Sequence, residues 1–157
     1  MLDKLNSQSI ALFEKIPESI VLFVARFSLA AVFWKSGQTK VEGFALDFIS
    51  FNFQFGLPKL AESTVFLFEY EYGLPLIPPM IAAVLATIAE HVLPIFILFG
   101  FLTRFAALGL AGMTLVIQTF VYPDAYPTHG TWLTICLFLM LRGAGKFSAD
   151  YFAFKKQ

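Results

Sequence analysis

Cysteine is almost missing from this chain. Cys136 is the single one among 157 residues, which excludes an intramolecular disulfide and a Cys-x-x-Cys redox pair. Its place inside an apolar run reads as a small buried thiol. Charge is scarce as well: 14% of residues are charged, against about 25% in an ordinary soluble domain. The formal charges cancel to zero and no basic block occurs, so nucleic acid is not expected as a partner. Histidine is limited to His91 and His129. With Cys136, Met113 and Met140 they fit no metal-ligand spacing, so no metal site is expected. Haem held by both histidines is disfavoured, because they fall about half a membrane apart in depth. No nucleophile elbow, phosphate loop or dinucleotide fingerprint occurs. No basic segment leads at once into an apolar core with a small-residue cleavage site, so the N-terminus is expected to be retained.

Apolar residues are abundant. They make up 58% of the chain, and twenty are phenylalanine, more than one small water-exposed globule can bury. The balance predicts an all-α membrane protein with a single membrane domain over residues 1–157. The expected architecture is a four-transmembrane-helix bundle with spans at about 19–36, 79–101, 104–121 and 128–141. The fourth is short for a bilayer that normally takes about 20 residues to cross. With both termini on one face, that face collects Lys4, Lys15, Arg104, Arg142, Lys146, Lys155 and Lys156. The other face has Lys40 and Lys59, with Lys35 at a span end. The positive-inside rule then predicts cytoplasmic termini.

Two segments outside the spans carry a pattern. Leu2, Leu5, Ser9, Leu12, Phe13 and Ile16 recur at helical spacing and predict an amphipathic N-terminal helix at the inner interface. Between the first two spans, Phe44, Phe48, Phe51 and Phe55 step by four, three and four, which predicts a Phe-rich helix. Gly56-Leu-Pro58 breaks the chain after that run, and Gly73-Leu-Pro75 breaks it again before the second span. Residues 44–75 are therefore expected to form an outer interfacial or re-entrant segment.

Glu90 is the residue that points to function. It lies within an otherwise apolar stretch, where an ionisable group costs roughly 2.5–3.5 kcal/mol and normally faces a bundle interior with a partner. On the first span Arg26, Phe33, Gly37 and Lys40 fall on one helical face. Counting ~1.5 Å per residue puts Arg26 and Glu90 ~7 Å apart in depth, so an Arg26–Glu90 ion pair is expected, with Lys35 as the second candidate cation. Such a pair either fixes helix register without chemistry or forms the polar end of a ligand or proton pocket. Arg104 reads as an interface anchor. Gln118 falls on nearly the same face of its span, and His129 beside Trp132 at the start of the last.

Taken in order, these positions resemble the DoxX family of small bacterial membrane proteins. The matching pieces are Arg26, Phe33-x-x-x-Gly37-x-x-Lys40, a Gly-Leu-Pro before the second span, Glu90, Gly100-Phe-Leu-Thr-Arg104-Phe-Ala-Ala107 and Gly143-Ala-Gly-Lys-Phe-Ser-Ala-Asp150. The resemblance implies a multi-pass bundle in the bacterial inner membrane and a role as a redox- or stress-associated subunit. A quinone is the cofactor it suggests, and any enzymatic turnover would belong to a quinone-linked oxidoreductase. Implied partners are the lipid bilayer, an oxidoreductase or stress-response protein, and a second copy in a homo-oligomer. The resemblance singles out Arg26, Gly37, Lys40, Glu90 and Arg104. His91, Gln118 and His129 are further pocket candidates from the residues themselves. Ser148 and Asp150 are expected to cap a short inner helix. The alternative functions are a carrier or channel for a small molecule or metal ion, and a non-catalytic anchor for a partner protein.

Overall fold

A computed structural model describes residues 2–48 and 50–154. Lys155 and Lys156, two of the charges behind the expected sidedness, lie outside the described residues. The chain is mostly helical. Helix α1 (Leu2–Phe13) has no buried residue. Helix α2 (Glu18–Gln38) is followed by an antiparallel pair, β1 (Val41–Asp47) and β2 (Asn52–Leu60). Helix α3 (Glu62–Phe66) runs on as a π-helical turn at Leu67–Tyr72. Helices α4 (Pro79–Phe99) and α5 (Thr103–Val116) come next, and α5 also ends in a π turn, Ile117–Val121. Helix α6 (Tyr126–Arg142) and the short α7 (Ala149–Phe154) complete the chain.

Among the described residues, three helical stretches are long and apolar enough to cross a membrane: Glu18–Gln38, Pro79–Phe99 and Thr103–Val121. Helix α6 has 17 residues and rises ~25 Å at 1.5 Å per residue. Proline at the first helical position of α4 sacrifices no hydrogen bond, and Gly100 ends that helix in the left-handed region at φ 65°. The span foreseen to Phe101 therefore stops at Phe99.

Helix α2 packs chiefly on α4, α5 on α6, and α4 on α5. Small residues at the contacts allow this: Ala30, Ala106, Ala107 and Ala111 are buried beside Leu29, Phe33, Ile97, Leu110 and Leu139. Larger side chains such as Val24, Phe27, Leu85 and Leu108 face outward. Lipid tails are as apolar as leucine, so helices in a bilayer associate by close packing of small residues, not by hiding large ones. The inside-out distribution fits that setting.

The Phe-rich helix expected over residues 44–55 is not what forms. Phe44 pairs with Phe55 and Leu46 with Phe53 across the β-hairpin. The reason lies in a second periodicity. Phe44-x-Leu46-x-Phe48 and Phe51-x-Phe53-x-Phe55-x-Leu57 also alternate at two, the strand period, and Gly43 at φ 80° and Pro58 disfavour a helix here. The chain does turn helical later, at α3.

Candidate functional site

The buried acid meets a lysine, not the arginine. Lys40 Nζ stands 2.7 Å from Glu90 Oε2, and both side chains are within 5% of full burial. The same ammonium donates to Ser36 Oγ at 3.1 Å. Its approach to Oε2 is off the angle of a good hydrogen bond, so the attraction is mainly charge on charge. The loop after α2 holds the lysine in place: the Lys40 carbonyl accepts from Ala61 N at 3.0 Å and from Thr64 Oγ1 at 3.1 Å.

Helix α4 supplies Glu90 through a local irregularity. Pro94 has no N–H, so the carbonyl four residues earlier, that of Glu90, loses its helical donor. Gly37 of α2 sits against this carbonyl; a Cβ there would meet it at 3.0 Å and the His91 ring at the same distance. His91 Nδ1 donates to the Thr87 carbonyl at 2.7 Å, which leaves Nε2 as the acceptor for the Gln38 amide at 3.0 Å. Gln38 Oε1 in turn accepts from Leu46 N at 2.6 Å. Lys40, Glu90, Gly37 and His91 thus form one cluster at the hairpin end of the α2–α4 contact.

Arg26 has a different task. Its side chain is 1% exposed and donates to the carbonyls of Leu98 at 2.7 Å and Ile97 at 3.3 Å, and to that of Phe147. The last carbonyls of a helix have no internal donor, and a cation there also suits the dipole. Arg26 therefore caps α4 and ties the tail to it. The expected Arg26–Glu90 pair is thereby corrected: α2 is offset along α4, so Arg26 is level with the end of α4 and Lys40 with its middle. A Cβ on Gly100 would lie 2.6 Å from Arg26 Nη1. Asp150 does not cap α7. Its two oxygens accept from Leu102 N at 2.8 Å and Thr103 N at 3.0 Å and cap α5 instead. Ser148 does serve α7, accepting from Tyr151 N at 3.2 Å.

The remaining expected residues are dispersed. Phe33 is core, its ring 5.5 Å from that of Trp132. Arg104 is exposed beside the α4–α5 turn. Gln118 Oε1 accepts from His129 Nδ1 at 2.8 Å, and Gln118 Nε2 donates to the Pro123 carbonyl at 2.6 Å, closing the α5–α6 turn. Among the described residues no three His, Cys, Asp or Glu side chains converge as metal ligands.

A cavity of about 260 Å³ opens between α4, α5 and the π turn after α3. Leu85, Ala86, Ala89, Met113 and Ile117 are among its walls, and Glu90 is its one acidic wall residue. Both π turns border it, through Phe68 and Tyr72 on one side and Ile117 and Val121 on the other. Such turns widen a helix locally and are common at functional sites. Tyr122 donates to Glu71 and stacks edge-on to Tyr72 at 5.9 Å, which joins the two turns. The bond to Glu71 raises the Tyr122 hydroxyl pKa, and burial, followed by the charge of Glu90, raises that of Tyr72. Sequence reasoning missed Ser36, Gln38, Glu71, Tyr72 and Tyr122. Only Ser36, four residues before Lys40 on one helix face, carried a usable signal.

No curated protein and no solved structure matches the chain. Residues 21–123, which hold Arg26, Gly37, Lys40, Glu90 and Arg104, match the DoxX family model, and the chain belongs to the DoxX family.

Proposed function

We propose that this protein is a redox- or stress-associated membrane subunit that binds a ring-sized, largely apolar ligand of quinone type in the cavity above Glu90. One observation carries the reading: the same carboxyl is both paired with a buried lysine and present in the wall of an otherwise apolar cavity. The volume of about 260 Å³ is close to the ~300 Å³ at which small-ligand sites begin. A quinone carbonyl needs a donor, and a reduced quinol needs a proton acceptor. Glu90 in the cavity wall can serve as either according to its protonation, with Lys40 paired behind it.

In this reading α6 is the fourth crossing, both termini face the cytoplasm of the bacterial inner membrane, and α1 lies on the inner surface. The cavity then opens toward the outer leaflet. The test is saturable binding of a short-chain benzoquinone to the purified protein in nanodiscs, measured against empty nanodiscs. Wild-type protein binds, Ala86→Phe fills the cavity and abolishes binding, and Glu90→Gln weakens it. Uptake no greater than into empty nanodiscs ends the proposal.

A carrier is the second reading, favoured by the position of Glu90 partway along α4. It requires the Arg26-capped end to open. Proteoliposomes with no Glu90-dependent flux of protons or divalent metals would eliminate it.

A further inference from the structure

The two edges of the β-hairpin are not alike. Helix α2 lies along the outer edge of β1 and satisfies Leu46 there: Trp34 Nε1 donates to the Leu46 carbonyl at 3.1 Å, and Leu46 N donates to Gln38 Oε1 at 2.6 Å. These bonds fix which way the strand groups point. Leu46 directs its N–H and C=O away from β2, so Leu46–Phe53 and Phe44–Phe55 are the pairs that exchange no backbone bonds. The N–H and C=O of Phe53 and Phe55 therefore point out of the free edge of β2. Among the described residues nothing bonds to them.

That edge is apolar and at membrane depth. Gly37 is level with Glu90, and Val41, Phe44 and Leu60 border a cleft against Val84, Ile88 and Val92 of α4. The hairpin thus runs beside the first half of a membrane-length helix. Phe55 is 81% exposed and Leu57 85%. Hydrocarbon has no water to meet an open strand edge, so the edge must find peptide groups in another strand.

The occupant is read from the edge itself. The Gln54 side chain, between the two phenylalanines, has no hydrogen-bonding partner among the described residues, and an amide is its own complement. No charged residue lies between Asn52 and Pro58, so self-pairing brings no like charges together. Helix α2 covers the β1 edge, so each copy offers one accessible edge and pairing closes at two. We propose that two copies join β2 to β2, antiparallel, about a two-fold axis at Gln54. Phe53 of one copy then exchanges backbone bonds with Phe55 of the other, the Gln54 amides bond each other, and a four-stranded sheet spans the dimer. This rests on the membrane placement proposed for the bundle but not on any ligand.

Cysteine cross-linking in native membranes tests it, in a Cys136→Ser background. Opposing Cβ atoms at such a pair are ~4.5–5.5 Å apart, near the reach of a disulfide. Gln54→Cys is expected to give a reducible dimer band, and Glu42→Cys on the covered strand and Leu108→Cys on the exposed face of α5 are expected to give none. Phe55→Pro removes an outward N–H without touching a β1–β2 bond. It should shift native mass spectra from dimer to monomer with helical circular dichroism unchanged. Equal cross-linking at Leu108 and Gln54, a dimer that survives Phe55→Pro, or a different protein bound at β2 overturns the proposal. Should the cysteine variant misfold, a wild-type protein that is monomeric in nanodiscs at every concentration overturns it equally.

Discussion

Lys40 Nζ and Glu90 Oε2 are 2.7 Å apart with neither side chain open to solvent, and each comes from a segment held by its own bonds. Removing one partner leaves the other charge buried and uncompensated, which costs about 3–5 kcal/mol. Lys40→Met and Glu90→Gln are each expected to lower the thermal midpoint in detergent. The double variant should recover most of the loss, since both charges are then gone. A double variant as unstable as the sum of the two singles would show that the pair does not act as one unit.

Gly100 has φ 65° and its Cβ position collides with Arg26 Nη1. Gly100→Ala therefore bears both the left-handed penalty of ~1–2 kcal/mol and displacement of the α4 cap. Arg26→Lys should also destabilise, because an ammonium lacks the planar fork that serves several carbonyls at once. Combining the two should cost less than their sum, measured as unfolding in a double-mutant cycle.

Asp150 provides the only side-chain cap that α5 has among the described residues. Asp150→Ala should cost about 0.5–2 kcal/mol. Hydrogen exchange locates the effect: the amides of Leu102 and Thr103 lose protection, while amides in the middle of α5 keep theirs. Asp150→Asn, with one acceptor oxygen in place of two, should fall between.

The Tyr122–Glu71 bond makes the cavity mouth sensitive to alkali. The folded state raises the Tyr122 pKa above the ordinary 10.0, so it favours the neutral phenol. The bond's contribution is complete below pH 10 and falls away as pH climbs past it. Phenolate absorbance against pH should show two tyrosines titrating late, Tyr122 and Tyr72; Tyr122→Phe removes one of them, and Glu71→Gln moves the Tyr122 step toward neutral pH. A wild-type curve with all tyrosines titrating together would contradict this.

Long apolar runs made the helices legible, but the expected end of α4 at Phe101 overran the glycine stop at Gly100. The buried acid was legible too, because glutamate in such a run has few bland explanations. Its partner was not. Depth counted from span ends assumes that neighbouring helices start level, whereas α2 and α4 are offset and bring residue 37, not residue 26, beside Glu90. The clue to Arg26 was the helix end it serves: a glycine stop leaves bare carbonyls that a buried guanidinium can meet. The hairpin was lost to a coincidence of periods, since the same phenylalanines satisfy both a helical count and a strand count. The reach of Asp150 to α5 depends on tertiary folding, and no local pattern announces it.

That reach has a consequence for the order of biogenesis. The turn between α4 and α5 leaves the ribosome some fifty residues before the carboxylate that closes it. During translation the nascent hairpin must enter the lipid with two bare amides at its tip, and it can lock only when residue 150 arrives. A chain truncated before Asp150 should therefore insert with those two amides unpaired and stay open to membrane proteases at the α4–α5 turn.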